Sequence, residues 1–311
     1  MYDVVIIGGG PGGLNAALTL GRVRRKVLLA DSGHPRNGPA EHMHGFLTRD
    51  GLPPSEVRRI GREEVLSYPT TEIRDVEVST VVKNGEVFEV SFADGTREES
   101  RRLLLATGQW DQLPEVDGLR ECWGRTVVHC PYCHGYEMRD RPLAVLGSDP
   151  RVVTTAVHIT RFSDDIVVCT NGPADIDEEN RAVLKMHGIG LNEEPVSRVE
   201  SQDGQVKSLV FASGEKLERG GIFVRAPLRQ QSPLAENLGC EILPDGAVKI
   251  NDFYQTTVPG AFAVGDMARL ESWPFPPSQV IMAAAGGAVA AVVMDQELLI
   301  VDTMARLAES S

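Results

Sequence analysis

Two α/β nucleotide-binding folds, the second set inside the first, are predicted by three features of the 311-residue chain. The run Asp3-Val4-Val5-Ile6-Ile7 passes directly into Gly8-Gly9-Gly10-Pro11-Gly12-Gly13 and then into a helical pattern, Leu14 to Leu20. A second strand ending in glycine, Pro142 to Gly147, opens the same order of elements again near mid-chain. The length exceeds that of one ordinary core, so two domains are the default expectation.

In the first copy, Gly8-x-Gly10-x-x-Gly13 puts glycines where a Rossmann-like turn is tight, where backbone approaches a pyrophosphate, and where helix closes on strand. The helix N-terminus, with Pro11 just inside it, faces the phosphates. A strand from Lys26 to Ala30 ends at Asp31, at about the 20-residue separation of a carboxylate that bonds an adenosine ribose. Ser32 to Pro54 is irregular and rich in Gly and Pro; a loop this long inside a compact domain is usually functional. It carries Arg36, His42 and His44. A His-x-His could bind metal, but with no carboxylate or cysteine partner evident nearby, cofactor or substrate contact is the expectation. A helix follows from Glu56 to Leu66. Strands Ile73–Val82, Val87–Phe92 and Arg101–Ala106, separated at Asn84-Gly85 and Asp94-Gly95, predict a three-strand meander that returns to the sheet at Ala106-Thr107-Gly108.

Between the copies lies His129-Cys130-Pro131-Tyr132-Cys133-His134. Two cysteines at this spacing can close a small disulfide, and a flanking imidazole can take the proton a thiol must lose to become a nucleophile. The alternatives are half of a zinc site or two packing thiols. Cys122, Cys169 and Cys240 stand alone and supply no second ligand pair, so no metal is expected, although the two local histidines keep zinc open.

The second copy repeats the architecture and loses the phosphate chemistry. Its helix is expected over Val152–Thr160, its next strand over Asp165–Cys169, and a second meander closes at Gly221 to Val224. After Gly147, however, Asp149 and Val152 occupy the places of the second and third glycines, and a carboxylate there opposes a pyrophosphate. Beyond the next strand the chain is acidic, Asp175 to Glu179, with no basic cluster for a 2′-phosphate. The last segment, Ala261 to Asp266, reads as a buried strand ending in Gly265-Asp266, followed by a helix that begins near Gln279.

The net charge of −13 argues against a nucleic-acid partner or an anionic membrane surface. Val280 to Met294, 15 residues rich in Ala and Gly, reads as a buried helix rather than a membrane span. The chain opens on a strand with no basic n-region, so a cytoplasmic protein is expected, where a Cys-x-x-Cys is more often catalytic than structural.

Taken together, these motifs resemble the thioredoxin-reductase-like flavoproteins over essentially the whole chain. The resemblance implies FAD, held by residues 1–113 and 243–311, and an inserted NAD(P)-type domain over residues 114–242 that carries Cys130 and Cys133. It implies FAD contacts at Gly8, Gly10, Pro11, Gly13, Asp31, Arg36, Ala106, Thr107, Gly108, Gly265, Asp266, Gln279 and Val280. The broken second glycine motif, the absent 2′-phosphate segment, and His134 in place of the family's aspartate make the string His-Cys-Pro-Tyr-Cys-His-Gly-Tyr-Glu similar to the dithiol oxidases that close disulfides in gliotoxin-, holomycin- and romidepsin-type natural products. That branch implies a small-molecule dithiol substrate, molecular oxygen as acceptor, hydrogen peroxide as product and a homodimer. It implies catalysis by Cys130 and Cys133, with His134 as base and His129 as its substitute. A protein-disulfide reductase fed by NADPH or ferredoxin, and a flavin redox sensor without turnover, are the competing expectations.

Overall fold

The computed structural model describes residues Met1–Ser310. They form two compact units, one of residues 1–36, 55–110 and 228–311, the other of residues 37–54 and 111–227. The expected boundaries at 113/114 and 242/243 therefore shift. Leu234, Ala235 and Cys240 are apolar and buried in the first unit's core with Val248 and Ile250, which carries the second crossing upstream. The irregular loop 37–54 belongs to the second unit, where Glu41 pairs with Arg125 at 3.3 Å.

In the first unit the strands Thr71–Asp75, Val27–Asp31, Tyr2–Ile7 and Arg97–Leu105 lie side by side in parallel. Near-continuous apolar sequence is what such strands need, since both faces are covered. Arg97–Leu105 serves two neighbours: Arg97 to Ser100 pair antiparallel with Val87–Phe92, and Leu103 to Leu105 pair parallel with Ala261–Ala263. The meander is thus Val78–Asn84, Val87–Phe92 and Arg97–Leu105. The run expected as one strand from Ile73 divides at Val76-Glu77, its first part joining the parallel sheet and its second the meander. One face of the sheet is covered by the helix Pro11–Arg22 and the long helix Val280–Glu309, with Leu20, Leu29, Phe262, Ala290 and Met294 fully buried between them.

These two helices approach closely because their contact is built of glycine. A Cβ on Gly287 would fall 2.1 Å from the Gly12 carbonyl oxygen. The expectation of a buried helix holds for one face only, which carries Ala283, Gly286, Gly287, Ala290, Ala291, Met294 and Leu298. By length and composition alone this helix could cross a membrane; its other face leaves Val292, Ile300 and Met304 exposed.

The second unit repeats the plan with a five-stranded parallel sheet, ordered Gly190–Asn192, Ile166–Cys169, Leu143–Leu146, Gly221–Val224, Val127–Val128. Its meander runs Val196–Gln202, Gln205–Phe211, Lys216–Glu218. Strand order reverses between Leu143–Leu146 and Gly221–Val224, the switch point at which open α/β sheets place ligands. The acidic run that precedes Gly190 has a structural use: Asp177 caps the helix Glu178–Met186 by accepting the Asn180 N–H at 2.8 Å.

Candidate active site

The first glycine turn is shaped by what its glycines exclude. Gly8 has φ +112°, and a Cβ there would meet the Ala106 carbonyl oxygen at 2.2 Å; a Cβ on Gly13 would lie 1.9 Å from the Gly8 carbonyl oxygen. Gly9 leaves room for the Asp31 carboxylate, whose Oδ2 would otherwise be 2.2 Å from a Cβ. Gly10 differs, because a Cβ there meets nothing within 4 Å. It is the N-cap of Pro11–Arg22, and no side chain caps that helix. Open space over uncapped N–H groups, with a carboxylate at the next strand end, is a cradle that fits the pyrophosphate and ribose of FAD.

The remaining predicted cofactor residues fall in the same unit. Ala106-Thr107-Gly108 follows the strand Arg97–Leu105, and the Thr107 hydroxyl lies 3.3 Å from the Met267 sulfur. Gly265 and Asp266 open a short 3₁₀ turn, and Asp266 accepts a hydrogen bond from Arg36 at 2.8 Å. Gln279 is the N-cap of Val280–Glu309 and Val280 its first residue, again with no side-chain cap. Sequence reasoning did not single out Arg62, which stands 3.5 Å from the Asp31 carboxylate and 2.7 Å from Asp75.

In the second unit Cys130 and Cys133 form a disulfide, with Cα atoms 5.3 Å apart. Pro131 at the first helical position starts a single helical turn, Pro131–His134, that brings the two cysteines together. Cys130 is its N-cap, and the Cys133 N–H donates to the Cys130 sulfur at 3.2 Å. The same N–H would stabilise Cys130 as a thiolate. Gly135 is needed beside them, since a Cβ would fall 2.3 Å from the Phe162 ring. The other three cysteines are buried; burial raises the Cys169 thiol to about 12 and that of Cys240 above its ordinary value, so neither is a thiolate near neutrality.

The two histidines of the motif diverge. His129 packs against Trp123, ring centroids 5.8 Å apart. His134 has both ring nitrogens buried without a hydrogen-bond partner among the described residues. Burial lowers its pKa, opposed by the charge of Glu137 and aided by that of His44. A neutral imidazole with open nitrogens is a base that can accept a thiol proton.

The loop histidine His44 corrects an expectation. Two carboxylates do stand beside it, Asp50 at 3.4 Å from Nδ1 and Glu137 at 3.5 Å from Nε2. Glu137 comes from the segment after the cysteine turn, a proximity that spacing within the loop could not reveal. Because the carboxylates face opposite ring nitrogens, the three groups do not converge on one point.

At the second glycine turn, Asp149 accepts the Arg151 N–H at 2.8 Å and the Arg151 guanidinium at 2.5 Å. Its acidity is increased by those bonds first, with Arg225 adding to the effect. The turn is thus closed by an internal ion pair rather than by a bare repelling charge.

A profile of pyridine nucleotide-disulphide oxidoreductases matches residues 2–289. The chain belongs to that family. This oxidoreductase is 38% identical to the solved structure of HlmI, with a TM-score of 0.93 over 99% of this chain and 96% of that one. It is 34% identical over 297 residues to a probable thioredoxin reductase of Arthroderma benhamiae, covering 85% of this chain and 74% of that protein. It is 31% identical over 323 residues to the thioredoxin reductase sirT of Leptosphaeria maculans, covering 98% and 97%. The thioredoxin-reductase-type α/β fold, the FAD cofactor and the flavin-dependent disulfide oxidoreductase activity follow from that membership.

Proposed function

We propose that this oxidoreductase is a dithiol oxidase, which closes an intramolecular disulfide in a small-molecule natural product through Cys130 and Cys133. The observation that carries the reading is the pairing of a formed Cys130–Cys133 disulfide with a second nucleotide turn whose helix N–H is already taken by Asp149. Electrons then enter from thiols rather than from NADPH.

His134 accepts the proton of one substrate thiol. The resulting thiolate attacks the Cys130 sulfur, forming a mixed disulfide and releasing Cys133 as thiolate. His134, once it has released the first proton to solvent, accepts that of the second substrate thiol; the resulting thiolate attacks the substrate sulfur of the mixed disulfide, closing the product disulfide and expelling Cys130 as thiolate. The Cys133 N–H, 3.2 Å from the Cys130 sulfur, steadies this leaving group. Gly8, Gly10, Gly13, Asp31 and Asp266 would hold FAD, which would supply the two-electron acceptor needed to return the cysteine pair to disulfide. Molecular oxygen is the proposed terminal acceptor, with hydrogen peroxide as product. We place the enzyme in the cytoplasm as a homodimer, with a holomycin-type metabolite as the reference substrate of its antibiotic-biosynthesis branch. The likeness to HlmI supports this branch.

A second reading has support in the names of relatives, several of which are thioredoxin reductases. One experiment separates them. With dithiothreitol as probe, the oxidase consumes oxygen and releases peroxide in equal amounts without NADPH. NADPH consumption that depends on a protein disulfide, with no oxygen uptake from dithiothreitol, would establish the reductase instead.

A further inference from the structure

Asp266 is carried by a short turn, Gly265–Met267, that follows the buried strand Ala261–Ala263. Gly265 leads into it at φ +77°, a region glycine adopts without strain. That residue lets the chain turn and does nothing to hold Asp266 in place. On the carboxylate itself Arg36 occupies Oδ2 at 2.8 Å, which leaves Oδ1 for a cofactor hydroxyl. The backbone just after Asp266 is held by a side chain from a different strand. Gln230 Nε2 donates to the Met267 carbonyl at 3.0 Å and to the Gly246 carbonyl at 2.7 Å, which uses both hydrogens of its amide nitrogen.

The Gly246 end of this bridge is a firm base. The turn Leu243 to Ala247 is closed by two backbone hydrogen bonds of 2.8 Å, from Gly246 N–H to the Leu243 carbonyl and from Leu243 N–H to the Ala247 carbonyl. Just beyond the bridged carbonyls, Val248–Ile250 and Ala268–Leu270 pair in parallel, starting with Val248 opposite Ala268. Met267 is fully buried, and the Thr107 hydroxyl lies 3.3 Å from its sulfur. Gln230 ends the strand Leu228–Gln230, which pairs with Gln109–Asp111. Hydrogen bonds from Gln231 N–H to the Gly108 carbonyl at 3.1 Å and from Gln112 N–H to the Pro227 carbonyl at 2.9 Å set Gln109 opposite Gln230. Of these two neighbouring amides only Gln230 reaches the turn; that of Gln109 is buried with no partner among the described residues.

We propose that Gln230 is a positioning residue for FAD, which holds the Met267 carbonyl so that the Asp266 carboxylate is presented to the cofactor. The inference rests on the assignment of Asp266 to FAD and not on the dithiol reading. A hydrogen bond to an ionised acceptor is stronger than one between neutral groups and weakens steeply with angle. Without the amide, the Met267 carbonyl must turn toward another donor. The backbone beside Asp266 turns with it, and Gly265, with the widest backbone freedom of any residue type, offers little resistance.

The test uses the FAD-loaded holoenzyme in the absence of thiols and follows cofactor release as the rise in flavin fluorescence after dilution. Gln230→Met keeps the length of the side chain and removes the donor, and it should release FAD about 10-fold faster than the parent. Asp266→Asn should also speed release. The double variant should be no faster than Asp266→Asn alone, because both residues act on one contact. Gln230→His regains one N–H and should fall between Gln230→Met and the parent; it is also the variant to use should Gln230→Met fail to fold. Gln109→Met removes the neighbouring amide that reaches nothing, and it should release FAD at the parental rate. Accelerations that add in the double variant overturn the proposal, since they mark a glutamine that only supports the core. Parental release by Gln230→Met or by Asp266→Asn overturns it too, as does equal acceleration by Gln109→Met. Failure of the oxidase reading appears elsewhere, as absent oxygen uptake from dithiothreitol, and leaves these release rates as they are.

Discussion

The carboxylate of Asp149 accepts both the backbone N–H and the guanidinium of Arg151, at 2.8 Å and 2.5 Å. A phosphate at this turn would need that same N–H, at the start of the helix Arg151–Ile159. Asp149→Gly should free it and leave Arg151 and Arg225 unopposed. NADPH affinity should then rise about 10-fold, equivalent to about 1.4 kcal/mol. Val152, fully buried in the place of the third glycine, keeps binding below that of an intact motif. Titration calorimetry of parent and variant measures the difference, and equal heats in both would show that Asp149 is not what closes the turn.

Gly10 and Gly13 belong to one motif yet should fail differently. A Cβ on Gly13 would overlap the Gly8 carbonyl oxygen at 1.9 Å, so Gly13→Ala should destabilise the protein itself, by about 3 kcal/mol or more. A Cβ on Gly10 meets no protein atom within 4 Å, and its φ of −76° suits any residue. Gly10→Val should fold with the parental apoprotein melting temperature and lose FAD. Released flavin and thermal melts of the apoproteins are the two measurements. A Gly10→Val protein with full FAD content would remove Gly10 from the cradle.

The parts of this molecule that were legible in the sequence are those whose chemistry is local. Gly8 to Gly13 followed by Asp31 encode a turn and a strand end within one βαβ unit, so spacing alone locates them. Cys130 and Cys133 lie within one helical turn of each other, so their pairing needs no knowledge of the rest of the fold. The His44–Glu137 proximity is different in kind, because it joins an irregular loop to a segment far along the chain through tertiary packing that no periodicity records. The split at Val76-Glu77 was hidden for a related reason: Ile73 and Val78 both fit strand composition, and only their partners, Leu29 and Phe92, distinguish parallel sheet from meander. Leu234 and Cys240 likewise declare their unit only through the side chains they are buried among.

Cys130→Ser and Cys133→Ser should each abolish dithiol-dependent oxygen uptake while retaining FAD, since neither residue belongs to the glycine cradle. Cys169→Ala should retain turnover, because a thiol raised by burial to about 12 supplies no thiolate. Its cost is the loss of a small buried side chain, about 1 kcal/mol in a melt. Oxygen-electrode rates on the three variants decide the matter, and parental turnover by both serine variants would place the redox centre elsewhere.

His134 should reveal itself through pH in two independent ways. Its folded-state pKa is lowered, mainly by burial, so between that value and the ordinary imidazole value of about 6.5 the unfolded chain binds a proton that the folded chain does not. Stability due to this group is therefore fully present above about pH 6.5 and is lost as pH falls toward the lowered value. His134→Gln removes that dependence, so the melting temperature of the parent minus that of the variant should become more negative as pH drops through this window. For turnover, a base that stays neutral into mildly acidic solution lets the parent work below pH 7. His134→Gln must wait for the substrate thiol to ionise by itself, which shifts the rising limb of the rate profile toward about pH 8.5. A constant difference in melting temperature across this range, together with an unshifted rate profile, would show that His134 fills space beside Cys133 and carries no proton.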